Sequence, residues 1–170
     1  MSREHKEKAL KNIRIHIAVV STSRYRRMIE GGRVKDVSGE LAVKLADRYG
    51  LKVSGKTIIP DDIETITKTV MERLKENDVI ILVGGTGVST SDVTVEAVRE
   101  IFEKELEGFG ELFRFLSYRE IGCSAIISRA TAGIIGGKLV ACIPGSPDAV
   151  KLAAKLLYPE LGHILYHARK

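Results

Sequence analysis

The chain has 170 residues, of which 44% are hydrophobic and 29% are charged, and its net charge is +5. A chain of this size and composition buries a core of its own, so it folds without disulfides or a structural metal. No apolar run approaches the roughly 18 residues of a membrane span, and residues 1–12 are too charged for a secretory signal. We therefore predict a cytoplasmic protein in which Cys123 and Cys142 are buried, reduced thiols.

Positive charge is concentrated near the N-terminus and in a second segment further along. Residues 1–12 are predicted to form a flexible charged arm ahead of one domain over residues 13–170. In the second segment only Glu30 opposes five basic residues, Arg24, Arg26, Arg27, Arg33 and Lys35. Such a cluster binds nucleic acid or a phosphorylated small molecule, or is simply solvated. Aromatic residues are only 5% of the chain, so stacking platforms for nucleic acid are few and this partner is disfavoured.

The first half of the chain alternates between predicted strands and helices. An apolar run predicts a strand over residues 13–20, and the polar, basic residues 21–36 are predicted to form a loop. A four-residue apolar spacing from Val37 to Tyr49 predicts a helix that ends at Gly50. A short strand over residues 53–59 and a helix over residues 63–74 follow.

The second half repeats this alternation. A strand over residues 78–83 leads into a glycine-rich loop, a helix begins near residues 92–94, and a very apolar helix covers residues 109–118. Gly136-Gly137 predicts the two-residue turn of a hairpin, and Pro147 is placed to begin another helix. Strands that alternate with helices predict an α/β fold with a mainly parallel sheet covered by helices on both faces.

Polar segments follow four of the predicted strands. They are Ser21-Thr22-Ser23, Pro60-Asp61-Asp62, Gly84 to Asp92 and Pro144 to Pro147. Because ligands bind outside the carboxyl ends of strands in an open parallel sheet, these segments predict a binding site at one edge.

The glycine-rich loop is a candidate anion site. The backbone N–H groups of Gly84 to Gly87 can approach a phosphate closely, and the following helix adds a favourable dipole. The segment lacks the Gly-Lys-Ser/Thr of a Walker loop and the third glycine of a dinucleotide fingerprint. A plain tight turn between strand and helix is the alternative interpretation.

Asp61 and Asp92 lie in two of these segments. Two carboxylates brought together there could hold Mg²⁺, which keeps several waters and bridges to substrate phosphates. The alternative is helix capping, by Asp92 for one helix and by Asp61 or Asp62 for another. The basic cluster would then supply cations for an anionic substrate.

Together these segments resemble the molybdopterin adenylyltransferase family of the MoaB/MogA type, which includes gephyrin-like G domains. The matching motifs are Ser38-Gly39, Ile59-Pro60-Asp61-Asp62, Gly84-Gly85-Thr86-Gly87, Ser91-Asp92-Val93-Thr94, Gly108 to Arg114, Ser128-Arg129-Ala130 and Pro144-Gly145-Ser146-Pro147. The resemblance implies a three-layer α/β fold, assembly into homotrimers or homohexamers, and adenylylation of molybdopterin by MgATP with release of pyrophosphate. It also implies delivery of the product to a molybdenum insertase, with molybdenum or tungsten as the metal.

The resemblance further implies roles for individual residues. Asp61 and Asp92 match the aspartates associated with Mg²⁺, and Gly84, Gly85, Thr86 and Gly87 match the loop that binds the nucleotide phosphates. Ser21, Thr22, Ser23 and Ser146 are assigned to molybdopterin. Ser91 stands where MogA and gephyrin-type members have arginine, and Val95 replaces their proline. A non-catalytic molybdopterin-binding or carrier protein is therefore the alternative function, unless Arg24, Arg26 or Arg27 replaces the missing cation.

Overall fold

The computed structural model describes residues 12–170, so all but the last residue of the predicted N-terminal arm lies outside the described residues. The strands in this range are β1 (Arg14–Val20), β2 (Lys52–Ile59), β3 (Val79–Val83), β4 (Lys104–Glu105), β5 (Thr131–Ile135) and β6 (Lys138–Ile143). The α-helices are α1 (Thr22–Ile29), α2 (Val37–Arg48), α3 (Ile63–Leu74), α4 (Thr94–Arg99), α5 (Glu107–Ile121), α6 (Pro147–Leu157) and α7 (Leu161–Ala168). Two 3₁₀ segments, Gly122–Ile127 and Tyr158–Glu160, complete the described elements.

The strands form a mixed sheet in the order β2-β1-β3-β6-β5-β4. Strands β2, β1, β3 and β6 pair in parallel, while β5 pairs antiparallel with both β6 and β4. The predicted hairpin is confirmed: Gly136 and Gly137 form its turn with φ angles of 54° and 71°, which glycine adopts without strain. The mainly parallel sheet is confirmed as well.

Helices cover both faces of this sheet. On one face Ile15, Ile17 and Val19 of β1 pack in a cluster with residues of α2, α5, α6 and α7. On the other face Ala18 and Val20 pack in a second cluster with residues of α3 and α4. Because alternate residues of a strand point to opposite faces, one apolar strand serves both clusters. The predicted three-layer α/β fold is confirmed.

The segment after β1 differs from the prediction. Residues 21–36 were expected to form a loop, but α1 occupies the first half of this segment. Ser21 caps the helix by accepting from the Arg24 N–H at 3.5 Å, and Arg26 and Arg27 lie in the last turn, where cations interact well with the helix dipole. The helix buries none of its residues and, apart from Tyr25, Met28 and Ile29, is polar or basic, so its short apolar spacing did not stand out in the sequence.

The two cysteines have different environments. Cys142 on β6 is fully buried, and this burial raises the pKa of its thiol, as predicted for an inert thiol. Cys123 is exposed in the 3₁₀ segment, so the prediction that it is buried was wrong. The residues around Cys123 are apolar, but Ile121, Ile126 and Ile127 among them are also exposed, so this segment does not belong to the core. None of the helices in residues 12–170 is long and apolar enough to span a membrane.

Candidate functional site

The four polar segments meet at the carboxyl edge of the sheet, as predicted from their positions after the strands. The Ser21 N–H donates to the Ile59 carbonyl at 2.9 Å, and the Gly84 N–H donates to the Ile143 carbonyl at 2.9 Å. The Ser38 hydroxyl, at the start of α2, donates to the Gly145 carbonyl at 2.6 Å. These bonds hold the ends of β1, β2, β3 and β6 in one continuous rim.

A cavity of about 410 Å³ opens beside this rim. Its polar wall is formed by the glycine-rich loop, Asp92 and the start of α6, and its apolar wall by α5 and α6. The lining residues are Gly85, Thr86, Gly87, Asp92, Phe113, Ser117, Glu120, Ile121, Ser124, Ala125, Ile127, Ser128, Pro144, Gly145, Ser146, Asp148, Ala149 and Leu152. This lining combines a large apolar surface with a few polar groups, as small-molecule sites do.

The conformation of the glycine-rich loop depends on glycine at two positions. Gly84 and Gly85 have φ angles of 112° and 64°. A methyl group at Gly84 would collide with the Val20 carbonyl, and one at Gly85 would collide with the Thr94 hydroxyl. Any other residue would therefore combine backbone strain with a clash against β1 or α4.

The loop leaves a row of backbone donors unused. Among residues 12–170, no acceptor is bonded to the N–H groups of Gly85, Thr86, Gly87 or Val88. The Thr94 hydroxyl behind Gly85 is buried and lacks a partner within the same residues. A run of free N–H groups at the mouth of a cavity is the arrangement that binds phosphate.

Asp61 lies on one side of this loop. Its Oδ2 accepts from the Thr22 N–H at 2.7 Å and from the Thr22 hydroxyl at 2.8 Å, so α1 fixes the carboxylate. The other oxygen of Asp61, Oδ1, lies close to Gly85, since a methyl group added at Gly85 would be 3.1 Å from it. Helix capping falls instead to Asp62, whose Oδ2 accepts from the Thr65 N–H at 2.8 Å. Hydrogen bonds from the Thr65 hydroxyl and N–H lower the pKa of Asp62.

Asp92 lies on the other side of the loop. Its Oδ2 accepts from the Ser89 N–H at 3.0 Å, and a methyl group at Gly87 would lie 2.8 Å from this oxygen. The N-cap residue of α4 is Val93, which makes no side-chain cap, so Asp92 does not cap this helix. The two aspartates therefore flank Gly85 to Gly87, and neither caps a helix; the cap that the alternative interpretation gave to Asp61 or Asp62 is Asp62.

Each of the two carboxylates keeps one oxygen that could bind a cation. Asp61 Oδ1 and Asp92 Oδ1 accept no hydrogen bond from any group of residues 12–170. Within the same residues, no three His, Cys, Asp or Glu side chains gather in a cluster that could enclose a metal. Two hard oxygen donors beside a phosphate loop suit Mg²⁺, which keeps waters and bridges to substrate oxygens.

The residues assigned to molybdopterin fall in two places. Ser146 caps α6, accepting from the Ala149 N–H at 3.2 Å, and lines the large cavity beside the glycine-rich loop. Ser21 and Ser23 are bonded to each other at 3.3 Å, and Thr22 is engaged with Asp61. Ser23 lines a separate cavity of about 330 Å³. Ser146 therefore lines the cavity beside the loop, whereas Ser21, Thr22 and Ser23 do not line that cavity.

This second cavity is basic. Arg24, Arg27 and Lys35 line it together with Ser23 and Val34. None of the three cations forms an ion pair with a carboxylate of the described residues, whose ion pairs all involve other cations. Arg26 does not line the cavity. Unpaired cations around a concave surface are available to an anionic ligand.

Arg129 contacts the glycine-rich loop, although the sequence analysis assigned it no role of its own. Its backbone N–H donates to the Thr86 carbonyl at 3.2 Å, and its Nε donates to the Gly87 carbonyl at 2.7 Å. The motif Ser128-Arg129-Ala130 was the only signal of its importance. The Ser128 hydroxyl is buried, lines the large cavity and has no partner among residues 12–170.

Comparisons with known proteins agree with this geometry. The profile of the family described as "Probable molybdopterin binding domain" matches residues 16–163. A protein of Methanocaldococcus jannaschii named probable molybdopterin adenylyltransferase is 45% identical over 96% of this chain and 98% of its own length. Molybdenum cofactor biosynthesis protein B of Bacillus cereus is 43% identical over 98% of this chain and 97% of its own length.

A solved structure gives the same result. The tungsten cofactor synthesizing protein MoaB from Pyrococcus furiosus superimposes with a TM-score of 0.84 and is 36% identical, covering 95% of this chain and all of the other. With the matched profile and these relatives, the resemblance inferred from the motifs is confirmed. The chain belongs to the molybdopterin-binding family that includes the MoaB proteins.

Proposed function

We propose that this protein adenylylates molybdopterin, using ATP and releasing pyrophosphate, in the biosynthesis of a molybdenum or tungsten cofactor. The observation that carries the proposal is the row of free N–H groups between Asp61 and Asp92. Family membership and the name of the Methanocaldococcus jannaschii relative support the same reaction. We place the reaction in the cytoplasm, where the unpaired thiols of Cys123 and Cys142 would stay reduced.

The chemistry matches the groups present. An oxygen of the molybdopterin phosphate attacks the α-phosphorus of ATP, a new P–O bond forms, and the bond to the β-phosphate breaks to release pyrophosphate. The attacking phosphate is already anionic near neutral pH, so the step needs no strong general base. Among the described residues, no histidine lines the large cavity. Catalysis must therefore come from positioning and from stabilising negative charge.

The glycine-rich loop and the two aspartates divide this task. Gly85, Thr86 and Gly87 bind the nucleotide phosphates through their free N–H groups, while Gly84, predicted to share this role, donates its N–H to the Ile143 carbonyl and holds the loop to β6. Asp61 and Asp92 would hold Mg²⁺, which, when bound with ATP, neutralises phosphate charge. Because Thr22 bonds to Asp61 Oδ2, it turns Oδ1 towards Gly85.

The basic cavity supplies the remaining positive charge. We assign Arg24, Arg27 and Lys35 to the phosphate of molybdopterin, since they line one cavity without carboxylate partners in residues 12–170. These cations would take over from the arginine that Ser91 replaces. Ser146 would contact the pterin in the apolar cavity. Ser23, which lines the basic cavity, would contact molybdopterin there together with its neighbours Ser21 and Thr22.

We further propose that the protein works as a homotrimer or homohexamer. Helix α5 and the 3₁₀ segment after it expose several large apolar side chains. Exposed fractions reach 53% for Phe115, 59% for Ile121 and 78% for Ile126. A surface of this kind favours association. Light scattering at micromolar concentration should give at least a trimer, and a monomer would contradict this part of the proposal.

A direct assay tests the reaction. Purified protein is incubated with molybdopterin and MgATP, and pyrophosphate and adenylyl-molybdopterin are quantified together. We expect equal amounts of both, and a molybdenum insertase would then consume the adenylylated product. Tight molybdopterin binding without pyrophosphate would instead establish a non-catalytic carrier. Salt-sensitive binding of oligonucleotides with neither outcome would indicate a nucleic-acid partner.

A further inference from the structure

The contacts of Arg129 reach both ends of the segment that joins the glycine-rich loop to Asp92. Beyond its bond to the Gly87 carbonyl, the guanidinium donates through Nη2 to the Asp92 carbonyl at 2.9 Å. One side chain thereby spans residues 87–92, which carry the free N–H of Gly87 at one end and the Asp92 carboxylate at the other. Gly87 and Asp92, whose carbonyls accept these bonds, precede Arg129 by 42 and 37 positions in the chain.

The same contacts determine where the loop N–H groups point. In a trans peptide, the carbonyl of one residue and the N–H of the next point in opposite directions. Arg129 accepts no hydrogen bond here and only donates, to the carbonyls of Thr86 and Gly87. The N–H groups of Gly87 and Val88 therefore face away from Arg129. Similarly, the Gly85 carbonyl accepts from the Thr94 N–H at 3.0 Å, which turns the N–H of Thr86 away from α4.

The guanidinium is itself held in place. Glu96, in the first turn of α4, forms an ion pair with Arg129 and accepts hydrogen bonds from both of its terminal nitrogens. The hydrogen bond from Arg129 is the main cause that lowers the pKa of Glu96. Because a guanidinium is planar and has five N–H donors, it can bond to two carbonyls and a carboxylate at once.

We propose that Arg129 is a positioning residue for the nucleotide site, an inference that rests on the proposed function. It fixes the spacing between the phosphate-binding N–H groups and the Asp92 carboxylate, and it keeps those N–H groups turned towards the ligand. Lysine retains the charge, but its three donors share one nitrogen and cannot reproduce the fork of Nε, Nη1 and Nη2 that reaches Gly87, Asp92 and Glu96. The role thus depends on the shape of arginine as well as on its charge.

The test compares Arg129→Lys with the control Arg114→Lys. Arg114 also donates to a backbone carbonyl, that of Ala130 at 3.3 Å, but it lies outside the loop. ATP and molybdopterin affinities are measured by calorimetry, and KM and kcat by pyrophosphate release. We expect Arg129→Lys to weaken ATP affinity about tenfold or more and to raise the KM for ATP, with molybdopterin affinity unchanged. Arg114→Lys should match the wild type in all four.

Further variants keep each outcome informative. If Arg129→Lys does not fold, Glu96→Gln replaces it, with an expected few-fold loss of ATP affinity and faster hydrogen exchange at the amides of residues 86–92. ATP affinity equal to the wild type in a folded Arg129→Lys protein would overturn the inference. If the wild type binds ATP without adenylylating molybdopterin, the proposed function fails, while a loss of ATP affinity in Arg129→Lys would still support the positioning role.

Discussion

The loop after β3 and the segment after β1 serve the same site but are built differently. The loop is bonded to β6 through Gly84, to α4 through Gly85 and to Arg129 through Gly87. The segment after β1 forms α1, which buries none of its residues. It is tied to the sheet chiefly by the Ser21 N–H and by the bonds between Thr22 and Asp61.

The two regions differ in structure because they have different functions, which are to stabilise the transition state and to bind an anionic substrate. Stabilising charge in a transition state requires donors that are already oriented, because reorganising them would cost part of the benefit. The packed loop provides such donors. Capturing an anionic substrate requires cations that are not already paired, and the surface helix provides those in Arg24 and Arg27. We infer that the first region determines ATP binding and turnover, and that the second determines the affinity for molybdopterin.

The largest effect is expected from the two aspartates. Asp92→Asn and Asp61→Asn keep the size of the side chain but remove the charge that would hold the cation. Each should reduce adenylylation about a hundredfold or more, the scale seen when one electrostatic stabiliser is lost. The measurement is the rate of adenylyl-molybdopterin formation across a Mg²⁺ titration.

Asp62→Asn is the matched control for these variants. Asp62 is adjacent to Asp61 and caps α3, a role that asparagine fills equally well. It should retain wild-type turnover. Near wild-type adenylylation by Asp92→Asn, with an unchanged Mg²⁺ dependence, would refute the assignment of the carboxylates.

A smaller effect is expected from the basic segment. Reversing the charge of Arg24, Arg26 and Arg27 to glutamate should weaken molybdopterin binding at least about tenfold, since close charge pairs contribute several-fold each. The fold should survive because α1 buries nothing. Circular dichroism and calorimetric titration measure the two properties.

The control for this variant changes the net charge equally at Lys44, Arg48 and Lys68, which are exposed on α2 and α3. It should bind molybdopterin as the wild type does. Unchanged kinetics in the Arg24, Arg26 and Arg27 variant would instead show that this segment is merely solvated.

Thr22 on α1 connects the two regions because its hydroxyl bonds to Asp61 beside the loop. Its removal should reduce turnover less than the loss of either aspartate does. Thr22→Val removes the hydroxyl that donates to Asp61 Oδ2 at 2.8 Å but keeps the side-chain shape and the backbone bond. Turnover should fall several-fold because the Asp61 carboxylate keeps only the backbone bond, and the Asp61 N–H also loses the hydroxyl as its acceptor. Stability should fall by about 1.5–3 kcal/mol, the typical contribution of a hydrogen bond to a charged group. Thr65→Val, which removes the equivalent bond to Asp62, should leave turnover unchanged. Equal rates for both variants would contradict a role for Thr22 in orienting Asp61.

The smallest expected effect concerns stability rather than turnover. His16 on β1 is buried, and this burial, reinforced by Arg73, lowers its pKa from 6.5 to about 4. The neutral ring therefore gives full stability above pH 6.5, and stability is lost as the pH falls towards 4, since the unfolded chain binds the proton first. Between pH 7 and 5 the loss should be roughly 1–2 kcal/mol.

Denaturant unfolding at both pH values measures this effect. His16→Gln, which can still hydrogen-bond to Ser54 and Thr57, should show a smaller loss by about that amount. An identical pH dependence in the two proteins would mean that His16 does not titrate differently on folding.

Strand β3, the glycine-rich loop after it and the hairpin of β5 and β6 were predicted well, because short local sequence patterns specify them. The apolar run of β3 ends in glycines, and Gly136-Gly137 specifies a hairpin by itself. Helix α1 was missed because it has only eight residues, three of them arginine, so its few apolar residues give a weak pattern. The choice between Asp61 and Asp62 as the helix cap also required the structure, since both directly precede α3.

Arg129 shows the other limit of prediction from sequence. Its partners Gly87 and Asp92 are distant in the chain. Arg129 comes near them because it precedes β5, which pairs with β6, and β6 pairs with β3, the strand that leads into the loop. Nothing in the local pattern around residue 129 distinguishes an arginine that bonds to carbonyls from one that is solvated. Tertiary contacts of this kind are visible only in the folded chain.

Calorimetric titration of molybdopterin into two variants tests most directly whether the segment after β1, and not the loop region, determines the affinity for molybdopterin. The variants are Asp92→Asn and the charge reversal of Arg24, Arg26 and Arg27. We expect wild-type affinity for Asp92→Asn, which has lost turnover, and at least about tenfold weaker affinity for the charge reversal. Equal losses of affinity in both variants, or a loss in Asp92→Asn alone, would contradict this expectation.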